Sequence, residues 1–398
     1  MDFTLPPHIE DYRQRYRAFV AEHLLPLESD PRSFDDHENI RLDVLEKMRA
    51  KAKAAGLWAP QMPKERGGQG LNVTGMAACY EEMNYSIFGP VVFNSAAPDD
   101  GNMIVLNKVA TEEQKKRWLQ PIIDGAVRSA IVMTEPAPGA GSDPAMMLTT
   151  ATKKNDKWVI RGRKWFITGA GVAQHFILIA RTSGDKRKGL TAFLYDRDQL
   201  GWKIVRRIPI MGPEEHGGHC ELEFDGLEIP DENRLMAVGD GLKVTQIRLG
   251  TARLTHCMRW LGLARRSMAI AAEYVSHREA QGAKLAERES VQWLLGDAAM
   301  QIEIGRMLVM RAAAKLDRGE FARKEISMAK IAVADVLHQA VDTAIQLNGA
   351  GGYSKDTKLE WIYRYARQAR LVDGASEVHK MVLARFFMQE RSDFWSWN

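Results

Sequence analysis

The feature that most limits the fold is the spacing of apolar residues, which changes twice along the chain. From Ile9 to about Gly125 they recur three to four residues apart, as at Val44, Leu45, Met48, Ala52 and Ala55, which is the helical period. Breakers at Pro26, Pro31, Pro60 and Pro63 and in the Gly67, Gly68, Gly70 loop divide this stretch into several helices. Between about Ala130 and Leu235 the period falls to two. Short β-rich runs then take over: Trp158 to Ile160, Phe176 to Ala180, Leu190 to Leu194, Lys203 to Val205 and Glu221 to Phe224. Turn residues such as Asn155, Asp156, Ser183, Gly184, Asp185, Gly217 and Gly218 separate them, which predicts a small antiparallel β domain. After Gly241 the helical period returns. Long segments over Lys243 to Gln281, Arg288 to Arg318, Arg323 to Leu347 and Ser376 to Arg391 predict an antiparallel four-helix bundle. Helix, then strand, then helix, with no βαβ alternation, disfavours a Rossmann-type parallel sheet. The expected architecture is α+β and multi-domain: an all-α domain over 1–128, a middle β domain over 129–240 and a helical bundle over 241–398.

Charge narrows the partners. With 55 Lys and Arg against 51 Asp and Glu the formal net charge is +4, and no run of five like charges occurs, so a nucleic-acid partner is not expected. Cys79, Cys220 and Cys257 stand far apart, with no Cys or His cluster of metal-ligand spacing, so no metal is expected and a reduced interior is. The longest apolar runs, Phe176 to Ala180 and Ala130 to Met133, are far shorter than the roughly 20 residues of a membrane span. No cleavable apolar leader is read at the N-terminus, and a cytoplasmic location is expected. P-loop, G-x-G-x-x-G, H-E-x-x-H, G-x-S-x-G and EF-hand patterns are all missing, which removes most NTPases, zincins and hydrolases.

Four stretches near the domain junctions carry the chemistry. The first is Thr134-Glu135-Pro136-Ala137-Pro138-Gly139-Ala140-Gly141-Ser142-Asp143, where helix gives way to strand. The second, Gly162 to Ala170, is a β segment with Trp165, Phe166 and one hydroxyl, Thr168. The third, Gln346 to Tyr353, ends a helix in glycines, for which a simple C-cap is the plain alternative. The fourth, Arg370 to Glu377, is a turn before the last helix, with Ser376 read as its N-cap.

Together, in this order and at these separations, the four resemble the acyl-CoA dehydrogenase family of flavoproteins. The longer first loop, Arg259 and the D-G-x-x-E-V-H ending look like the branch whose human members carry an additional kinase-like domain. The resemblance implies bound FAD, an acyl-CoA thioester substrate, an electron-transfer flavoprotein as electron acceptor, and a homodimer or homotetramer. By the same resemblance Met133 and Thr134 meet the flavin pyrimidine edge, and Ser142 lies where FAD meets the pantetheine arm. Phe166, where a Trp is usual, and Thr168 face the isoalloxazine. Arg278 reaches a neighbouring subunit's FAD diphosphate, a task that suits its bidentate fork. Gln281, Glu289, Gln346, Gly349 and Ala350 belong to that inter-subunit set, although three of them depart from the usual residues: Gln281 for Phe, Glu289 for Gln and Ala350 for Gly. Ala375 and Glu377 complete the cofactor contacts, and Arg253 and Gly374 join Ser142 on the substrate. Arg248 and Arg259 add charge to the helix of Arg253, with a solvated helix face as the alternative account.

Dehydrogenation needs a base for the α-proton while the β-hydrogen leaves as hydride. The family usually places Glu before the Gly of the fourth motif, and here Asp373 stands there. The second base position known in the family falls within Gly250 to Arg253, which holds no acid. One methylene less withdraws the carboxylate by about 1.5 Å, so a bulky or branched acyl chain near C2 is expected. Burial beside flavin is expected to raise the resting pKa of Asp373. An oxidase or monooxygenase of the same fold, acting on a small carbon acid such as a nitroalkane, is the alternative function. Lys380, where such enzymes carry Arg, weighs against it.

Overall fold

The computed structural model describes residues 4–141, 143–185 and 188–396. Its first stretch is helical, as the three-to-four spacing predicts: α1 (Pro7–Phe19), α2 (Leu42–Ala54), α3 (Val73–Met83) and α4 (Asp99–Val109). The start of α3 is held twice. The Asn72 side chain accepts the Gly75 N–H at 2.9 Å, and the Asp317 carboxylate, from far along the chain, accepts the N–H groups of Val73 and Thr74 at 2.7 and 2.9 Å. These are the N-terminal amides that a helix cannot satisfy within itself.

The strands follow: β1 (Ser129–Val132), β2 (Thr150–Lys154), β3 (Lys157–Thr168), β4 (His175–Arg181), β5 (Leu190–Asp196), β6 (Trp202–Arg207), β7 (His219–Pro230) and β8 (Arg234–Leu235). They form one sheet in the order β6-β7-β3-β2-β4-β5-β8, with β1 paired to β4. The expectation of a purely antiparallel domain is corrected here. β1 runs parallel to β4, Ser129 opposite His175, and β2 meets β4 in the same sense at Thr150 and Arg181. The β2–β3 hairpin intervenes between β1 and β4 and returns the chain in its original direction. Alternate residues of β4 point into two cores: Phe176, Leu178 and Ala180 join Tyr195, Phe193 and Phe224, while Ile177 and Ile179 join the helices. Both faces of the strand are therefore buried, which is why it reads as an unbroken apolar run.

The last part is helical: α5 (Gly241–His277), α6 (Glu289–Asp317), α7 (Arg323–Asn348), α8 (Leu359–Ala366) and α9 (Ser376–Glu390). At 1.5 Å per residue α5 is about 55 Å long, and it packs on α3, α4, α6 and α7. It ends four residues before the predicted Gln281. Glu279–Ala280 pairs with Ala283–Lys284 in a short hairpin whose turn holds Gln281 and Gly282 at φ +50° and +79°. Ser376 is not the N-cap. It is the first helical residue, and its buried hydroxyl has no hydrogen-bond partner among the described residues. Nor is the glycine stretch after α7 a simple cap, because Gly349 (φ +56°) leads straight into a further helical turn, Ala350–Tyr353. Among the described residues no helix is long and apolar enough to cross a membrane.

Candidate active site

The fourth motif folds into a loop between α8 and α9 in which two consecutive residues take left-handed backbone, Asp373 at φ +53° and Gly374 at φ +98°. Glycine tolerates that geometry, whereas for aspartate it is uncommon and must be held by its surroundings. Arg253 Nε, from α5, donates to the Asp373 carbonyl at 2.7 Å. The Asp373 side chain is 15% exposed, with Oδ1 3.3 Å from Arg248 Nη1 and Oδ2 3.5 Å from His256 Nε2. Among the described residues Oδ2 has no hydrogen-bond partner.

The expected rise in the Asp373 pKa is not found. Burial pushes it up, but the cations around it, Arg248 first and then Arg253 and Lys330, outweigh burial and hold the carboxyl below its ordinary value. Burial and the nearby Arg259 press the His256 pKa down to about 3, so its ring is neutral near neutrality and Arg248 is the foremost cation on Asp373. The solvated-face account of Arg248 and Arg259 is likewise corrected, since they are 4% and 3% exposed. Arg248 lies against α4 at Gly101, where an added Cβ would stand 3.0 Å from its Nε. Arg259 Nη1 donates to Asp100 Oδ2 at 2.9 Å and to the Ser95 carbonyl at 2.8 Å. The Tyr80 hydroxyl donates to the other oxygen of Asp100 at 2.9 Å.

His256 and Arg259 line a cavity of about 80 Å³ that Glu215, His216 and Tyr365 also border. From its β side a polar chain runs to the second motif: Glu215 pairs with His219 Nε2 at 3.0 Å, and His219 Nδ1 lies 2.9 Å from Thr168 Oγ1. Burial lowers the His219 pKa, but the Glu215 carboxylate more than offsets this and the net shift is upward. Phe166 sits at φ +51° and is 42% exposed. The fully buried Lys164 reaches back to the first motif, donating to the Met133 carbonyl at 2.7 Å and pairing with Glu135 at 3.1 Å. Since C=O and N–H of a trans peptide point oppositely, pinning the Met133 carbonyl turns the Thr134 N–H the other way. Glu135 in turn accepts the N–H groups of Ala140, Leu148 and Thr149, which closes the first loop. The exposed Phe166, the Thr168 hydroxyl and the Thr134 N–H, turned away from Lys164, are an apolar face and two polar groups that fit the face and edge of a flavin.

The structure thus brings Met133, Thr134, Phe166 and Thr168 together, and groups Asp373, Gly374 and Arg253 separately around α5. Arg278, Gln281 and Glu289 are exposed at the hairpin after α5 and the start of α6; Gln346, Gly349 and Ala350 are exposed at the end of α7; Glu377 is exposed and Ala375 half-buried at the start of α9. Ser142 lies outside the described residues. Sequence reasoning missed Lys164, His219 and His256. A lone Lys in a β run, or a lone His on an apolar helix face, carries no periodic signal, and only the fold reveals its burial.

Three family models match in succession: "Acyl-CoA dehydrogenase, N-terminal domain" over residues 6–126, "middle domain" over 130–227 and "C-terminal domain" over 239–388. A Mycobacterium tuberculosis protein named "Probable acyl-CoA dehydrogenase FadE2" is 36% identical, with 99% of each chain covered. Human "Acyl-CoA dehydrogenase family member 11" is 34% identical over 95% of this chain, which spans half of that protein's length. Among solved structures, butyryl-CoA dehydrogenase from Megasphaera elsdenii superposes with a TM-score of 0.86 at 28% identity, covering 98% of this chain and 100% of that one.

Proposed function

The chain belongs to the acyl-CoA dehydrogenase family, and we propose that it oxidises an acyl-CoA thioester to the 2-enoyl-CoA with Asp373 as the base. FAD is the cofactor, and when bound it supplies the hydride acceptor for the β-hydrogen. The observation that carries the reading is the Asp373 carboxylate: ionised, largely buried, with Oδ1 beside Arg248 and Oδ2 free of any hydrogen bond. Oδ2 is buried beside His256, so the carboxylate has to turn toward the acyl chain to accept the α-proton. The same cation that keeps Asp373 ionised makes it a weak base. The α-proton must therefore be acidified where the thioester carbonyl is bound, by donors aimed at the developing enolate. The amide groups adjoining Asp373 are suited to that task. Thr168, backed by His219, donates or accepts at the flavin edge, and Phe166 covers its face.

The short acid favours an acyl chain bulky or branched near C2, brought closer to the loop than a straight chain. The exposed Arg278, Gln281, Gln346, Gly349 and Ala350 suit contact with the FAD of a second protomer, hence a homodimer or homotetramer. Electrons then leave to an electron-transfer flavoprotein. The test is Asp373→Asn: the variant is expected to purify yellow yet fail to bleach anaerobically with any member of an acyl-CoA panel that bleaches the parent protein. Bleaching of the variant at the parental rate refutes Asp373 as base. Rapid oxygen consumption by the parent protein without an added acceptor would replace the dehydrogenase reading by an oxidase.

A further inference from the structure

Lys330 on α7 is fully buried, and so far it has entered only as one of the charges near Asp373. A buried ammonium is costly unless its protons are met, so its partners must matter to the fold around them. Nζ donates to the Ala369 carbonyl at 2.7 Å and to the Gly374 carbonyl at 3.4 Å, and stands 5.2 Å from the centre of the Trp260 ring. The two carbonyls bracket Asp373. One ammonium therefore joins the turn that precedes the loop to the residue just after the carboxylate, while Arg253 holds the carbonyl of Asp373 itself. Left-handed backbone at a residue other than glycine is uncommon and relaxes unless something opposes it. Fixing the Asp373 and Gly374 carbonyls also fixes the N–H groups of Gly374 and Ala375, because each points opposite to the carbonyl of its own peptide.

We infer that Lys330 is a positioning residue: with Arg253 it clamps the left-handed loop, so that the Asp373 carboxylate and the adjoining amides keep a reactive orientation. The inference rests on Asp373 being the base. The groups facing Asp373 are Arg248, Arg253 and His256 from α5 and Lys330 from α7, with His379 from α9 beside the loop; those facing Lys330 further include Cys257 and Asp335. His256 and His379, with pKa values pressed by burial to about 3 and about 4, are neutral near neutrality, so Lys330 is one of three cations on the carboxylate.

The experiment compares Lys330→Met, which keeps length without charge, and Lys330→Arg, which keeps charge with a different shape. Both are purified with FAD and followed by anaerobic single-turnover bleaching from pH 5.5 to 9, using an acyl-CoA that bleaches the parent protein. For Lys330→Met the limiting rate per bound FAD should fall about 10- to 100-fold, as for an ångström-scale misplacement. Half-saturating substrate should change less than about threefold, and the acid limb of the profile should move to higher pH. Lys330→Arg should return the acid limb to its parental position while the rate stays reduced. Limiting rate and acid limb of Lys330→Met both at parental values overturn the inference, as does a loss confined to FAD content with the rate per FAD unchanged. If Lys330→Met does not fold, Lys330→Arg decides: a reduced rate per FAD with the parental acid limb supports the clamp, and a parental rate overturns it. Asp373→Asn separates the two levels. An inert Asp373→Asn beside parental Lys330 variants defeats the clamp alone, whereas an active Asp373→Asn defeats the base assignment beneath it.

Discussion

Replacing Arg259 by leucine should destabilise the folded protein by about 3–5 kcal/mol, the range for breaking a buried ion pair from one side. Asp100 is 1% exposed, and Arg259 is its cationic partner, at 2.9 Å. In Arg259→Leu the carboxylate keeps only the Tyr80 hydroxyl at 2.9 Å. The Ser95 carbonyl, bonded to the same guanidinium at 2.8 Å, loses that donor as well. At 1.4 kcal/mol per decade the folding equilibrium shifts by about two to nearly four powers of ten. Removing both charges should hurt less than removing one, because the unpaired buried charge is the dominant cost. Asp100→Leu combined with Arg259→Leu is therefore expected to recover much of the loss, with a coupling energy of at least about 2 kcal/mol. Urea unfolding at fixed FAD concentration, followed by tryptophan fluorescence, gives the four corners of the cycle. A single-variant loss below about 1 kcal/mol, or strictly additive losses in the double variant, would show that the pair is not the buried, mutually dependent unit its geometry implies.

Three further outcomes follow from the same contacts. Arg248→Met removes the foremost cation from Asp373, whose pKa should rise; the acid limb of the bleaching rate then moves to higher pH, and an unmoved limb contradicts the assignment. Gly374→Ala places a Cβ at φ +98°, 3.2 Å from His379 Nε2, and should slow bleaching by tenfold or more while leaving α9 intact by circular dichroism; a parental rate shows the loop to be pliable. Lys164, buried, has its pKa brought down to about 8 from 10.5, so between those values the unfolded chain binds more protons. Stability owed to this group therefore rises with pH across that window. Urea unfolding at pH 7.5 and 9.5 should show the difference between parent protein and Lys164→Met growing, and a shrinking difference refutes the sign.

The order of helix, strand and helix was legible because period depends on neighbours three, four or two residues away, and burial enforces it wherever one face packs. What escaped depends on contacts distant in sequence. Whether β1 lies parallel to β4 is decided by a pairing between Ser129 and His175, which no local pattern encodes. The end of α5 was misread because Arg278 to Gln281 carry no strong breaker before Gly282. At the site, Asp373 and Thr168 sit inside the four unusual local strings, and the family resemblance those strings carry adds Met133 and Arg253. Burial by itself raises the Asp373 pKa, and the charges that reverse the direction are distant in sequence. Arg248 lies 125 positions away, and its charge decides the outcome. Lys164 and Lys330 were passed over for the same reason, as a lysine in sequence reads as surface until its carbonyl partners are seen.

Strand β4 presents Phe176, Leu178 and Ala180 to one core and Ile177 and Ile179 to the other. It is a wall common to two rooms, and neither can be emptied without exposing the far side of that wall. A slip of one residue in its pairing would exchange the occupants of both, sending aromatic bulk into the helices and β-branched carbons into the aromatic stack. Sheet and helices should therefore melt in a single transition, with tryptophans on the two sides, Trp158 and Trp260, changing their emission together.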